Sequence, residues 1–506
     1  MRGFAGLATA FLVAGVSTVA LAKDPQVERG RYLALAADCA ACHTAPDGKA
    51  YAGGLALDTP FGKIYTANIT SDPKTGIGHW KEADFIKALR EGRGRHGERL
   101  YPAMPYTSYT KITDEDAAAL WAYIRTIPPV HNKVVDDQLS FPFDIRAGLI
   151  AWQDMFFRPG RFTPDPLKDE TYNRGAYLVQ ALGHCGACHT PRNILGATEK
   201  DRRLTGATIE HWYAPDISTD PLSGIADWSV DDLQTFLKTG RSTTNQTAVG
   251  PMGEVVHDSL SKLKDSDLHA MAVYLKEEAA PKKPGTAGTV MPLSSAQLQV
   301  GADIYGERCQ SCHGADGTGA KGVAASLEGN TAIAAPVPDN LIMGILKGFP
   351  ARDGWQAMPA YASALDDQEI ANVANFVRAK LGNHASADVT PWMVGAMRYE
   401  TDAPAAGTAE PPQFQCPKFA DYKLDDATTK ALQALGTDFS DPTKLEAVID
   451  AYRKGQPDSS KSTMVEALLT GYCPTIAGMD LPFGAKGARL ADFVGRLSAI
   501  VAPPKS

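Results

Sequence analysis

The chain has 506 residues, 44% hydrophobic and 21% charged, with a formal net charge of −8. That composition supplies a packed core and excludes a largely disordered chain. The acidic balance excludes nucleic acid as the expected partner, because phosphate binding wants a basic face.

The first predicted element is a leader. Met1-Arg2 precedes an apolar run from Phe4 to Leu21, which ends Ala20-Leu21-Ala22 before Lys23-Asp24. A charged start, an apolar stretch and an A-x-A pattern read as a secretory signal peptide over 1–22, with an uncleaved anchor as the alternative. No later stretch reaches the 18 or so apolar residues of a membrane span. The mature chain is expected in the periplasm, at the outer face of the bacterial inner membrane.

A helix carrying Arg29-Gly30-Arg31-Tyr32-Leu33 then leads into Cys39-Ala40-Ala41-Cys42-His43. C-x-x-C-H is the attachment signature of a c-type haem. The two thiols add to the vinyl groups, and the His reaches the iron. The same string recurs as Cys185-Gly186-Ala187-Cys188-His189 and as Cys309-Gln310-Ser311-Cys312-His313. A redox C-x-x-C or half a zinc site would not explain a His after the second Cys three times over.

The chain repeats itself. Arg174-Gly175-Ala176-Tyr177-Leu178 matches the lead-in at an offset of 145, and the first two haem motifs are offset by 146. Ile69-Thr70-Ser71-Asp72-Pro73 matches Ile217-Ser218-Thr219-Asp220-Pro221 at 148. So constant a shift means two copies of one unit. A third, more compact copy begins near Val300-Gly301-Ala302-Asp303-Ile304-Tyr305.

Each copy is predicted to close with a helix. The first starts after Thr113, an N-cap, with Asp116 in its first turn, and stripes Leu120, Trp121 and Ile124 on one face. The second presents Leu268, Met271, Ala272 and Leu275, and the third Ile370, Val373, Phe376 and Val377.

The sixth iron ligand separates an electron carrier from a haem open to exogenous molecules. Met104 in Pro102-Ala103-Met104-Pro105, Met252 in Gly250-Pro251-Met252-Gly253, and Met358 in Gln356-Ala357-Met358-Pro359 are the candidates. Plain core packing is the alternative for each, and His96, His257 and His384 are rival ligands. Met/His ligation would close all three centres and make the chain an electron wire. No nucleophile or acid–base pair stands out as a substrate site.

The predicted layout is all-α: three tandem class I cytochrome c domains at 23–130, 171–280 and 294–385, plus a small, mainly helical C-terminal segment at 414–506. Residues 131–170 form a connecting/docking segment too apolar around Phe141–Phe157 for a free tether, expected to pack on a domain of this chain or on a partner subunit. Residues 281–293 and 386–413 read as linkers. Cys416 and Cys473 fall outside the haem motifs, and in an oxidising compartment they most simply form one disulfide. The tail ends in a one-sided helix with Leu490, Phe493, Val494, Leu497, Ile500 and Val501. Its two readings are a small core of its own and peripheral contact with a membrane.

Taken in order, these features resemble one family. The three C-x-x-C-H units, the R-G-x-Y-L lead-in, the Asp-Pro loop, the Pro-flanked Met and Cys188-His189-Thr190-Pro191-Arg192 are similar to the triple-haem cytochrome c subunit of membrane-bound bacterial dehydrogenases acting on alcohols, aldehydes, gluconate, sorbitol or fructose. The resemblance covers about residues 26–385. It implies three haem c groups with His43, His189 and His313 as proximal ligands and Met104, Met252 and Met358 as distal ones. It implies a separate catalytic subunit of flavin, quinone or molybdenum type as electron donor, and ubiquinone or a terminal oxidase as acceptor. A multihaem enzyme such as a peroxidase, or a free-standing carrier, is the alternative.

Overall fold

The computed structural model describes residues 24–220, 224–242, 246–278, 295–320, 322–351, 355–381, 383, 385–407, 416, 422–439, 441–457, 459, 461–481 and, near the end, 486, 489–490, 492–494, 496–497 and 500. The predicted leader and the linker 281–293 lie outside these residues.

Helix α1 (Pro25–Ala36) begins where the Asp24 carboxylate accepts from the Gln26 amide, with Pro25 in the first turn. After Asp38 in a left-handed conformation comes a single turn, α2 (Cys39–Cys42). A short hairpin of β1 (Ala56–Thr59) and β2 (Gly62–Tyr65) follows, then α3 (Glu82–Glu91), α4 (Tyr106–Tyr109) and α5 (Asp114–Ile124). Thr113 caps α5 as expected, accepting from the Asp116 amide at 3.2 Å. Strand β3 (Gln138–Leu139) adds antiparallel to β2.

The connecting segment holds α6 (Gly148–Phe156). It is no free tether. Leu149 is buried, the Gln153 amide nitrogen donates to the Glu91 carbonyl at 3.2 Å, and Phe157 meets Tyr106 edge to face. Phe141, Ile145, Ile150 and Met155 stay exposed.

The second copy runs through α7 (Glu170–Tyr177), a π-turn over Leu178–Leu182, α8 (Gly186–His189), a hairpin of β4 (Ala207–Ile209) and β5 (Trp212–Ala214), α9 (Val230–Thr239), α10 (Gly250–Asp258) and α11 (Asp265–Glu277). The third has α12 (Ser295–Arg308), α13 (Gln310–His313), α14 (Asp339–Lys347) and α15 (Asp367–Ala379). The fold is therefore largely helical, and the two small sheets are what the all-α expectation lacked.

One crossing recurs. α1 packs on α5, α7 on α11 and α12 on α15. A glycine sits at each crossing. A Cβ on Gly30 would lie 1.8 Å from the Ala119 carbonyl oxygen, on Gly175 1.9 Å from that of Ala270, and on Gly301 2.3 Å from that of Asn372. The predicted stripes lie beside these crossings and are buried at Leu120, Ile124, Leu268, Met271, Ile370 and Val373; Leu120, Ile124 and Val373 line cavities next to the C-x-x-C-H turns.

The first two copies share a single hydrophobic core, in which Leu33, Ala36 and Leu120 cluster with Leu178, Leu182 and Leu268. Crossed polar bonds frame it. Arg29 pairs with Asp116 at 2.7 Å and Arg174 with Asp267 at 2.7 Å, each within its own copy. The Tyr177 hydroxyl donates to Asp116 and the Tyr32 hydroxyl to Asp267, both at 2.6 Å and both across the boundary. The third copy has Val300 in place of the arginine and Asp303 in place of the tyrosine, and it builds a separate core.

The described part of the predicted linker, residues 386–407, does not run as a tether. It carries α16 (Pro391–Glu400), whose Val394 and Met397 bury into the third core. The tail forms α17 (Asp426–Leu435), α18 (Pro442–Gly455) and α19 (Lys461–Ala477). Cys416 and Cys473 are joined by a disulfide, their Cα atoms 5.8 Å apart. Leu490, Phe493, Val494 and Leu497 are buried in the tail core, so that stripe is packed inside the protein rather than presented to a membrane. Among the described residues, no helix is long and apolar enough to cross a membrane.

Candidate haem sites

Each C-x-x-C-H string sits on a short turn directly after a long helix, so the first thiol, the second thiol and the His follow one helical path. The His ring is fixed in the same way three times. Nδ1 of His43 donates to the Ala67 carbonyl at 2.7 Å, that of His189 to Pro215 at 2.6 Å, and that of His313 to Ala325 at 3.0 Å. A carbonyl only accepts, so the proton is on Nδ1 and the Nε2 lone pair is left for a metal. Burial lowers the pKa of all three rings, which favours the neutral form a metal needs. A carbonyl holding the far nitrogen of a ligating His sets ring orientation and basicity.

The thiols speak against a redox-active C-x-x-C. Burial raises Cys39, Cys185 and Cys309 to about 12, and Cys42 to about 11, whereas redox-active thiols have depressed values. No cluster of three or more His, Cys, Asp or Glu that could hold a metal ion exists among the described residues.

Two cavities meet these groups. The larger, about 1850 Å³, is lined by Cys39, Cys42, His43 and Met104 of the first copy. Cys188, Arg192 and the Thr205–Glu210 stretch of the second copy line it too, and Pro336, Val337 and Glu400 reach it from further on. The smaller, about 190 Å³, brings together Cys309, Cys312, His313 and Met358. Thr247–Val249, just ahead of Met252, form part of its wall. Cys185, His189 and Met252 line neither cavity. Cys185 and Met252 pack against the shared core, and His189 is 9% exposed. Of the rival ligands, His96 and His257 are exposed, and His384 lies outside the described residues. Met271 and Met343 are buried core residues.

Several participants were not read from sequence. Ala67 and Pro215, the carbonyls behind the first two His rings, stand 148 residues apart, so the repeat's offset relates the two positions once one of them is known. His184 is half-buried and lines the larger cavity. Its ring meets Tyr109 edge to face, centroids 5.5 Å apart, and the Tyr109 hydroxyl donates to the Ala37 carbonyl at 2.9 Å. Trp212 joins the second and third copies, with its ring 6.1 Å from that of Phe349. It lies so close to Gly250 (φ +53°) that a Cβ there would come within 2.7 Å of the indole.

A mainly helical chain whose C-x-x-C-H turns present a neutral, carbonyl-held imidazole has the character of a c-type cytochrome. Comparison with known families agrees. The cytochrome c family model matches residues 27–128, and the model described as cytochrome C oxidase, cbb3-type, subunit III matches 296–377. The fructose dehydrogenase cytochrome subunit of Gluconobacter japonicus is 41% identical over 415 residues, covering 74% of this chain and 85% of that one. The cytochrome c subunit of the quinone alcohol dehydrogenase of Komagataeibacter europaeus is 40% identical over 417 residues, covering 77% and 88%. One subunit of the nicotinate dehydrogenase of Pseudomonas putida is 41% identical over 372 residues, which are 72% of this chain but 31% of that longer protein. The chain belongs to the family of cytochrome c subunits of bacterial dehydrogenases.

Proposed function

We propose that the chain carries three covalent haems and serves as the electron-transfer subunit of a periplasmic dehydrogenase complex. The haems are held by Cys39 and Cys42, Cys185 and Cys188, and Cys309 and Cys312. His43, His189 and His313 are the proximal ligands, and Met104, Met252 and Met358 the distal ones. Three cytochrome c domains, at about 23–130, 171–280 and 294–385, bear them. Electrons arrive from a separate catalytic subunit and leave to ubiquinone or a terminal oxidase at the outer face of the inner membrane.

The observation that carries this reading is the threefold recurrence of an Nδ1–carbonyl bond on a His that directly follows C-x-x-C. The relatives' names support the partner, since each is a subunit of a dehydrogenase. Bound haem supplies one-electron chemistry at a potential that Met/His ligation raises. The protein fixes the spacing of the centres, excludes water and tunes each site.

The test is a haem count on the denatured, reduced polypeptide, with carbon monoxide added to the native protein. Three haem equivalents per chain and no CO adduct are expected. Fewer than three equivalents, or CO bound to a native centre, would overturn the reading.

A further inference from the structure

Gln356 stands two residues before Met358, which forms an antiparallel bridge with Phe349 through reciprocal backbone bonds of 2.9 Å. Residues two apart on an extended chain point the same way, and Gln356 and Met358 both line the smaller cavity beside Cys309, Cys312 and His313. Gln356 is 5% exposed. Among the described residues, neither its amide nitrogen nor its amide oxygen has a hydrogen-bond partner. Buried amides are almost always paired, and an exception asks for a partner of another kind. The matching positions of the first two copies hold Pro102 and Gly250, which have no side-chain donor, so this feature marks the third site alone.

The third haem would complete the pairing. Once thioether bonds have consumed its vinyl groups, the carboxylates are the only polar groups on its rim. An amide N–H donates to a carboxylate, and an amide oxygen accepts from the same group when it is protonated. We infer that Gln356 binds a carboxylate of the third porphyrin and so positions that haem against Met358. This rests on the three-haem reading above. The bond draws negative charge away from the neighbourhood of the iron. Negative charge there favours the ferric state, so the amide holds the potential of this centre up.

The test compares wild type with Gln356→Leu and the near-isosteric Gln356→Glu. Each is read by haem count, by spectroelectrochemical titration of all three centres, and by the resonance Raman bending modes of the haem carboxylates. Gln356→Leu should make one centre about threefold to tenfold harder to reduce, tenfold being about 59 mV for one electron, with the other two unmoved. Gln356→Glu should shift the same centre further in the same direction, and the carboxylate modes should change in both. Three haems with all potentials and modes at wild-type values in both variants would overturn the inference while leaving the relay intact. A wild-type count of two would remove the ligand itself, and the relay reading with it.

Discussion

Asp38 opens the first haem motif with φ at +49°, a conformation that Asp tolerates better than most residues. It lines the larger cavity. Burial pushes its carboxyl up to about 7, and Asp258 and Glu254 of the second copy add to the shift while Lys262 opposes it. The sign of the stability effect follows from linkage. Below pH 4 the carboxyl is neutral in both states and has no effect. Between about 4 and 7 the unfolded chain ionises and the folded chain resists. Stability therefore falls as pH rises, with a slope approaching 1.4 kcal/mol per pH unit. Above about 7 both forms are ionised and the loss is constant. Asp38→Asn should thus match wild type near pH 4 and be the more stable protein at pH 8, as read by chemical denaturation at the two values. Equal stability differences at pH 4 and pH 8 would show that the carboxyl does not carry the shift.

At the level of elements, the R-G-x-Y-L lead-in does two jobs. Its glycine lets α1 and α7 close on α5 and α11, and its arginine and tyrosine bind the same aspartate type from two sides. Asp116 is almost wholly buried, so removing the Tyr177 hydroxyl leaves a carboxylate oxygen short of a partner. Tyr177→Phe should cost about 1–3 kcal/mol, and Tyr32→Phe, on the symmetric bond, a similar amount. Guanidinium denaturation of the two variants checks this. A loss under about 0.5 kcal/mol in both would mean that the crossed bonds do not hold the copies together. The lead-in itself was legible, because a repeat with a fixed offset exposes its own motifs. The buried stripes of α5, α11 and α15 were legible from the helical spacing of their apolar residues. The pairing of the tyrosines was not, since a repeat shows which residues correspond and not which ones meet. The hairpins escaped because strands of three or four residues between glycine-rich loops leave no period to read. Helix α16 escaped because the Ala/Pro/Gly-rich stretch after Glu400 coloured the reading of the segment before it. The Ala67, Pro215 and Ala325 carbonyls escaped because a backbone acceptor has no side-chain signature.

For the whole molecule, the grouping of cores matters more than the number of copies. The first two haem motifs hang on one core, so the two regions should lose structure together. The tail has its own core, but Val323 and Ala324 of the third copy belong to it and Cys312 packs against it. Ala325, the next residue, holds the His313 ring. The tail therefore braces the third site from behind, and the Cys416–Cys473 bond ties that brace together. Two substitutions separate these arrangements. Leu178→Ala, in the shared core, should cost about 2–5 kcal/mol and lower the melting of the first and second centres by the same amount. Leu468→Ala, in the tail core, should cost as much and loosen the third centre while leaving the first two at their wild-type transition. Thermal melting followed at each of the three proposed centres, through the loss of the spectrum expected of Met ligation after selective redox poising, distinguishes them. If Leu178→Ala melts the first centre apart from the second, the copies fold as separate domains despite their packing. If Leu468→Ala leaves the third centre unmoved, the tail is an appendage and not a brace.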